Sequence, residues 1–210
     1  MGERSAADAE LLGALGRAHA AAGRWDDAVL RLDDAIDTWT RLDRPVDASR
    51  PLCERLRVAG LLGRGDDVER LCAMAARLRA HPACTPVDDA HLRLAEGRAC
   101  VALGRLERGA GLLALPDAED LPAPVVASAR RWAARAAGGP AADALRAQVT
   151  CEPWRTLAAL DARLAAGEGT HEQVEALTAD PTAGREVRRT LARCPPGDDP
   201  GAFLADHFRY

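Results

Sequence analysis

One short motif recurs along the chain at nearly constant spacing. Residues 22–28 read Ala-Gly-Arg-Trp-Asp-Asp-Ala, residues 62–68 Leu-Gly-Arg-Gly-Asp-Asp-Val and residues 103–109 Leu-Gly-Arg-Leu-Glu-Arg-Gly. Gly23 to Gly63 is 40 residues and Gly63 to Gly104 is 41. A fixed period of this size means that each copy is one supersecondary unit, buried by stacking on its neighbours. In each copy a helical apolar pattern runs up to the glycine and a second begins one or two residues later, which predicts a helical hairpin. Gly23, Gly63 and Gly104 suit the left-handed position that ends a first helix, where a Cβ is penalised. Asp26 and Asp27, Asp66 and Asp67, and Glu107 then fall in the first turn of the second helix, where unpaired N–H groups favour negative charge.

The stripes within each copy agree. Ala28, Val68 and Gly109 share one position of the second helices, Leu32, Cys72 and Leu113 lie four residues on, and Ala35 and Ala75 follow. The first helices carry Leu12, Leu15, Gly16 and His19, then Leu52, Leu56 and Ala59, then Leu92, Gly97 and Cys100. Composition points the same way: 48% of residues are hydrophobic but only 3% aromatic. Alanine and leucine head the helix scale, and the β-branched and aromatic residues of a sandwich or barrel are scarce, so an all-α fold is expected and an all-β one excluded.

The first copy resembles the tetratricopeptide repeat family. Leu12, Leu15, Gly16, His19, Gly23, Trp25, Ala28, Leu32 and Ala35 fall where that family places Trp or Leu, Leu, Gly, Tyr, Gly, Tyr, Ala, Phe and Ala. The later copies keep the turn and part of each stripe, and their period exceeds the family's usual length of about 34 residues. The resemblance covers residues 5–115 and implies a TPR-like α-solenoid of antiparallel hairpins.

Three regions are expected: hairpins over residues 1–115, an irregular helical continuation over 116–193, and a linker with a short capping helix over 194–210. Thr85, Pro86 and Asp88 set a helix start near residue 86. The turn-rich, acidic segment 116–124 reads as a connector. Further helices are expected at about 123–137, 140–149, 152–166, 171–178 and 181–193, with Thr170/Gln173 and Asp180-Pro181 as caps.

Alignment on the turn glycines puts Arg17, Arg57 and Arg98 at one position, six residues before each glycine. In tetratricopeptide arrays that position lines the concave groove, so the resemblance implies a ladder of three guanidiniums. Arg50 and His91 occupy a second shared position, where the first copy has Glu10. Guanidinium forks pair with carboxylates, so an acidic or carboxylate-bearing protein segment is the expected partner. The function expected is a non-enzymatic scaffold for protein–protein interaction, with a regulatory role. The alternatives are a small helical enzyme or ligand-binding protein with a polar pocket between hairpins, and a sensor module.

Other features point to blander roles. The net charge of −4 and pI of about 5.8 make nucleic acid an unexpected partner. All 28 basic residues are arginine. No run of apolar residues is long enough to span a membrane and the amino end is charged, so a soluble, cytoplasmic chain is expected. The cysteines, Cys53, Cys72, Cys84, Cys100, Cys151 and Cys194, are scattered and read as reduced, mostly buried thiols. His171-Glu172 lacks the second histidine of a zinc helix, and neither catalytic residues, metal nor cofactor is expected. Asp26, Asp27, Asp33, Asp34 and Asp37 read as a solvated acidic face. Arg130, Arg131 and Arg135 beside Trp132, and Arg185, Arg188, Arg189 and Arg193, read as solvated basic faces.

Overall fold

A computed structural model describes residues 4–115, 118–151 and 154–165. The expected helices at 171–178 and 181–193, the 194–210 segment, the caps at Thr170 and Asp180, the His171 motif and the arginines from Arg185 to Arg193 lie outside the described residues. Every helix and turn described is helical in type, and no strand occurs among the described residues. The chain divides into two compact units, Met1–Leu112 and Leu113–Tyr210.

The first unit contains α1 (Ala6–Ala21), α2 (Trp25–Arg41), a 3-10 turn at Pro45–Ala48, α3 (Ser49–Leu61), α4 (Gly65–Arg79), α5 (Pro86–Ala102) and α6 (Leu106–Leu113). The three predicted bends are built alike. Gly23, Gly63 and Gly104 have φ of 73°, 65° and 72°. In each, the glycine N–H and the next arginine N–H donate back to carbonyls of the ending helix: Arg24 to His19 at 3.0 Å, Arg64 to Ala59 at 3.0 Å and Arg105 to Cys100 at 2.9 Å. This is the Schellman arrangement, which satisfies the orphan carbonyls of a helix end. A fourth such bend closes α2 with Asp43 at φ 56°, an αL cost that a glycine would not carry.

Starts are specified as firmly. Thr85 and Asp88 form the expected capping box, with each side chain bonded to the other's backbone N–H at 3.1 Å. Ser5 and Asp8 form a second at the head of α1. Satisfying otherwise orphaned N–H groups in this way stabilises a helix by about 1 kcal/mol.

α1 packs on α2, α3 on α2 and α4, and α5 on α3 and α4. The core between them is built from Trp39, Leu52, Leu56, Val68, Leu71, Cys72 and Leu92, and each fully buried leucine contributes about 2 kcal/mol. Small residues set the spacing. A Cβ at Gly16 would stand 2.6 Å from Leu32 Cγ, and one at Gly60 3.0 Å from Ala99 Cα. The latter shows α3 and α5 in near-backbone contact, and α3 also touches α1. The first helices therefore lie as neighbours, α1 beside α3 and α3 beside α5.

The second unit contains a 3-10 turn at Ala118–Asp120 and helices α7 (Ala123–Ala137), α8 (Gly139–Ala147) and α9 (Trp154–Ala165). α7 packs on both others, around Ala127, Val149 and Ala158. The basic face expected on α7 is in part an interior one. Arg131 is 1% exposed and forks onto Asp161 with bonds of 2.8 and 3.2 Å. Arg135 forks onto the same carboxylate at 3.1 and 2.9 Å and lies 4.4 Å over the Trp132 ring.

Candidate arginine-lined groove

Each predicted rung stands six residues before a left-handed glycine. Arg17 on α1, Arg57 on α3 and Arg98 on α5 are all half-buried, while Arg50 and His91 are exposed. Their helices are adjacent, α1 beside α3 and α3 beside α5.

The rungs differ in what holds them. Arg57 is gripped by Glu54 from the preceding turn of the same helix, Nε donating to Oε2 at 3.0 Å and Nη2 to Oε1 at 2.5 Å. Arg17 lies back along α1, with Nη1 3.6 Å from where a Gly13 Cβ would stand, and makes neither a hydrogen bond nor an ion pair among the described residues. Cys53 of α3 donates its thiol to the His91 carbonyl of α5 at 3.5 Å. Burial pushes this thiol up to about 12, with Glu96 and Glu54 adding and Arg98 opposing. Cys53 is thus an inert thiol that ties the start of α5 to α3.

Two of the arginines that follow turn glycines, Arg64 and Arg105, together with Arg108, tie neighbouring hairpins, whereas Arg24 stays within its own hairpin, its Nε donating to His19 Nδ1 at 2.9 Å. Arg64 reaches back to Asp26 at 3.3 Å, and Arg105 and Arg108 both reach Glu69, the latter at 2.8 Å. Each links one hairpin to the acidic helix start of the hairpin before it. Exposed pairs of this kind contribute up to about 1 kcal/mol.

Two buried charges were not visible in the sequence as such. Arg55, 2% exposed, bridges Asp33 of α2 at 3.1 Å and Asp67 of α4 at 2.7 Å. Asp33 is therefore not part of a merely solvated face. Glu96, also 2% exposed, lies 3.1 Å from Arg79 Nε of α4, and burial holds its carboxyl above the ordinary range against the pull of Arg79 and Arg108. Aligned on the turn glycines, Arg55 and Glu96 occupy the same position, eight residues before the glycine, where the first hairpin has Leu15. Nothing local marks them; only that shared register, held by opposite charges, could have drawn attention to the position.

Among the described residues no group of three or more His, Cys, Asp or Glu could hold a metal ion. No described helix is long and apolar enough to cross a membrane. Comparison with family profiles, with curated proteins and with solved structures finds no match to this chain.

Proposed function

We propose that the hairpins of residues 6–113 stack as a tetratricopeptide-like array and that the layer formed by α1, α3 and α5 is its binding face. Arg17, Arg50, Arg57, Arg98 and His91 line that face and receive an acidic segment or chain terminus of another protein. The reading rests chiefly on one observation: Arg17, Arg57 and Arg98 keep one register on three adjacent helices. Guanidiniums one helix spacing apart, about 8–10 Å, match carboxylates on every third residue of an extended chain, which advances about 3.3 Å per residue. The protein acts in this reading as a scaffold rather than an enzyme.

The test is fluorescence anisotropy of a labelled hexaglutamate peptide titrated with the full chain. Binding should weaken with salt, and Arg17→Ala/Arg57→Ala/Arg98→Ala should lower affinity at least tenfold with helix content unchanged; each charge-assisted contact contributes about 1–2 kcal/mol. Equal affinity of wild type and triple variant would remove the reading.

A further inference from the structure

α1 has a second face that the hairpin does not use. Its buried side is Ala9, Gly13, Gly16 and Ala20, and directly opposite lie Ala7, Leu11, Ala14, Leu15 and Ala18, all exposed. Leu11 is 59% exposed, the most of any large apolar side chain among the described residues, and Leu15 is 40% exposed. Leu15 stands at the position that buries Arg55 and Glu96 in the next two hairpins. There the covering partners come from the preceding second helix, Asp33 of α2 for Arg55 and Arg79 of α4 for Glu96. Among the described residues no helix precedes α1 to play that part at Leu15.

Residues 7, 11, 14 and 18 are spaced by four, three and four, the interval that keeps a seam facing a partner helix. Three of the four are alanine, which permits close approach. The flanks carry charge. Glu10 and Arg17 lie on the same border of the seam, and neither is engaged in an ion pair or hydrogen bond among the described residues.

We propose that this face of α1 binds a second copy of the chain, α1 packed antiparallel on α1. In an antiparallel pair centred between Leu12 and Gly13, Ala7 meets Ala18 of the partner subunit and Leu11 meets Ala14 of the partner subunit. The border residue Glu10 then faces Arg17 of the partner subunit, and symmetry forms that pair twice, so the dimer competes with an acidic segment for Arg17 while Arg57 and Arg98 stay outside the seam. A parallel pair would set Glu10 against Leu15 and Arg17 against Ala22, leaving both charges unmatched. Charge complementarity therefore selects the second copy and its direction. From Ala7 to Ala18 the seam is about 17 Å long and smaller than a standard interface of about 1,600 Å², so the association is a weak monomer–dimer equilibrium.

Sedimentation of the full chain across micromolar to millimolar concentration tests this. Wild type should shift from monomer to dimer. Leu11→Glu/Leu15→Glu should stay monomeric throughout, with unchanged helix content by circular dichroism, since both side chains are already in water. Glu10→Arg alone and Arg17→Glu alone should each weaken the dimer about tenfold, the effect of two apposed like-charge pairs. The double variant Glu10→Arg/Arg17→Glu should recover most of the loss. Three results would each overturn the proposal: a wild type monomeric at every concentration, a dimer that survives the two leucine substitutions, or a charge-swapped variant that stays as weak as the single ones.

Discussion

Arg55→Ala probes how α3 is held between α2 and α4. The guanidinium is buried and divided between two acids, Asp33 at 3.1 Å and Asp67 at 2.7 Å. Truncation leaves both carboxylates without their cation and empties the space filled by the aliphatic stem. Removing one member of a fully buried pair costs about 3–5 kcal/mol. Asp33 and Asp67 are 39% and 27% exposed, so water takes over part of their charge and about 3 kcal/mol is expected. With a urea slope of about 1.5 kcal/mol per molar, the unfolding midpoint followed by circular dichroism should fall by about 2 M. The penalty should also depend on pH. The hydrogen bond from Arg55 holds Asp67 below its ordinary range, outweighing burial, so Asp67 contributes stability above its unfolded pKa that is lost as pH falls through its folded pKa. Burial pushes Asp33 upward against the pull of Arg55, so its ionisation costs stability as pH rises through its folded pKa. Without Arg55 both carboxyls rise. The alanine variant should therefore be weakest relative to wild type at neutral pH and recover part of the difference below about pH 4, where both acids bind protons. A loss under about 0.5 kcal/mol at neutral pH, the range of ordinary surface substitutions, would refute the bridging role of Arg55.

Two further perturbations separate backbone from packing and test the second unit. Gly63→Ala meets no atom within 4 Å but must hold φ at +65°, so it should cost about 1–2 kcal/mol, whereas Gly16→Ala drives a methyl to 2.6 Å from Leu32 and should cost about 1–3 kcal/mol through repacking. Gly63→Asn, which tolerates the left-handed region, should recover part of the first loss, and Gly16→Asn should not recover the second; chemical denaturation reads all of these. Asp161→Asn leaves Arg131 and Arg135 facing a neutral amide and should destabilise by about 3 kcal/mol in the same assay. Burial pushes the Asp161 carboxyl upward, but Arg131 and Arg135 together hold it below its ordinary range. Its contribution is thus present above the unfolded pKa and lost as pH falls through the folded pKa, so wild type and variant should converge in acid.

Local signals made the hairpins legible. A glycine after an apolar stripe and acids just beyond it placed the three bends, and Thr85-Pro86 with Asp88 placed the start of α5. What local signals could not give was the side of a helix that faces another helix far along the chain. Leu15 fits the apolar stripe of the first hairpin yet is 40% exposed, because no described helix covers it as α2 covers Arg55 and α4 covers Glu96. Arg131 and Arg135 look like a solvated face at helical spacing, and their carboxylate lies 30 and 26 residues away. Asp33 looks solvated for the same reason, its arginine being 22 residues on. A charged side chain reads as exposed until its partner is known, since burial is affordable only with the partner in place.

The shared position eight residues before each turn glycine carries this point into the order of the hairpins. There the second hairpin places a cation facing acids and the third an anion facing an arginine, so neither can take the other's place against its neighbour without burying like charges. Glu96→Arg should therefore destabilise more than Glu96→Gln. The glutamine can still accept a hydrogen bond from Arg79, at a cost of about 1–3 kcal/mol, whereas the arginine opposes a like charge in a site that is 2% exposed. Adding Arg79→Glu should restore a measurable share of the loss in urea unfolding, through the reversed pair. If the double variant is no more stable than Glu96→Arg alone, the charge at this position does not govern how α5 seats on α4, and the opposite signs of Arg55 and Glu96 carry no register.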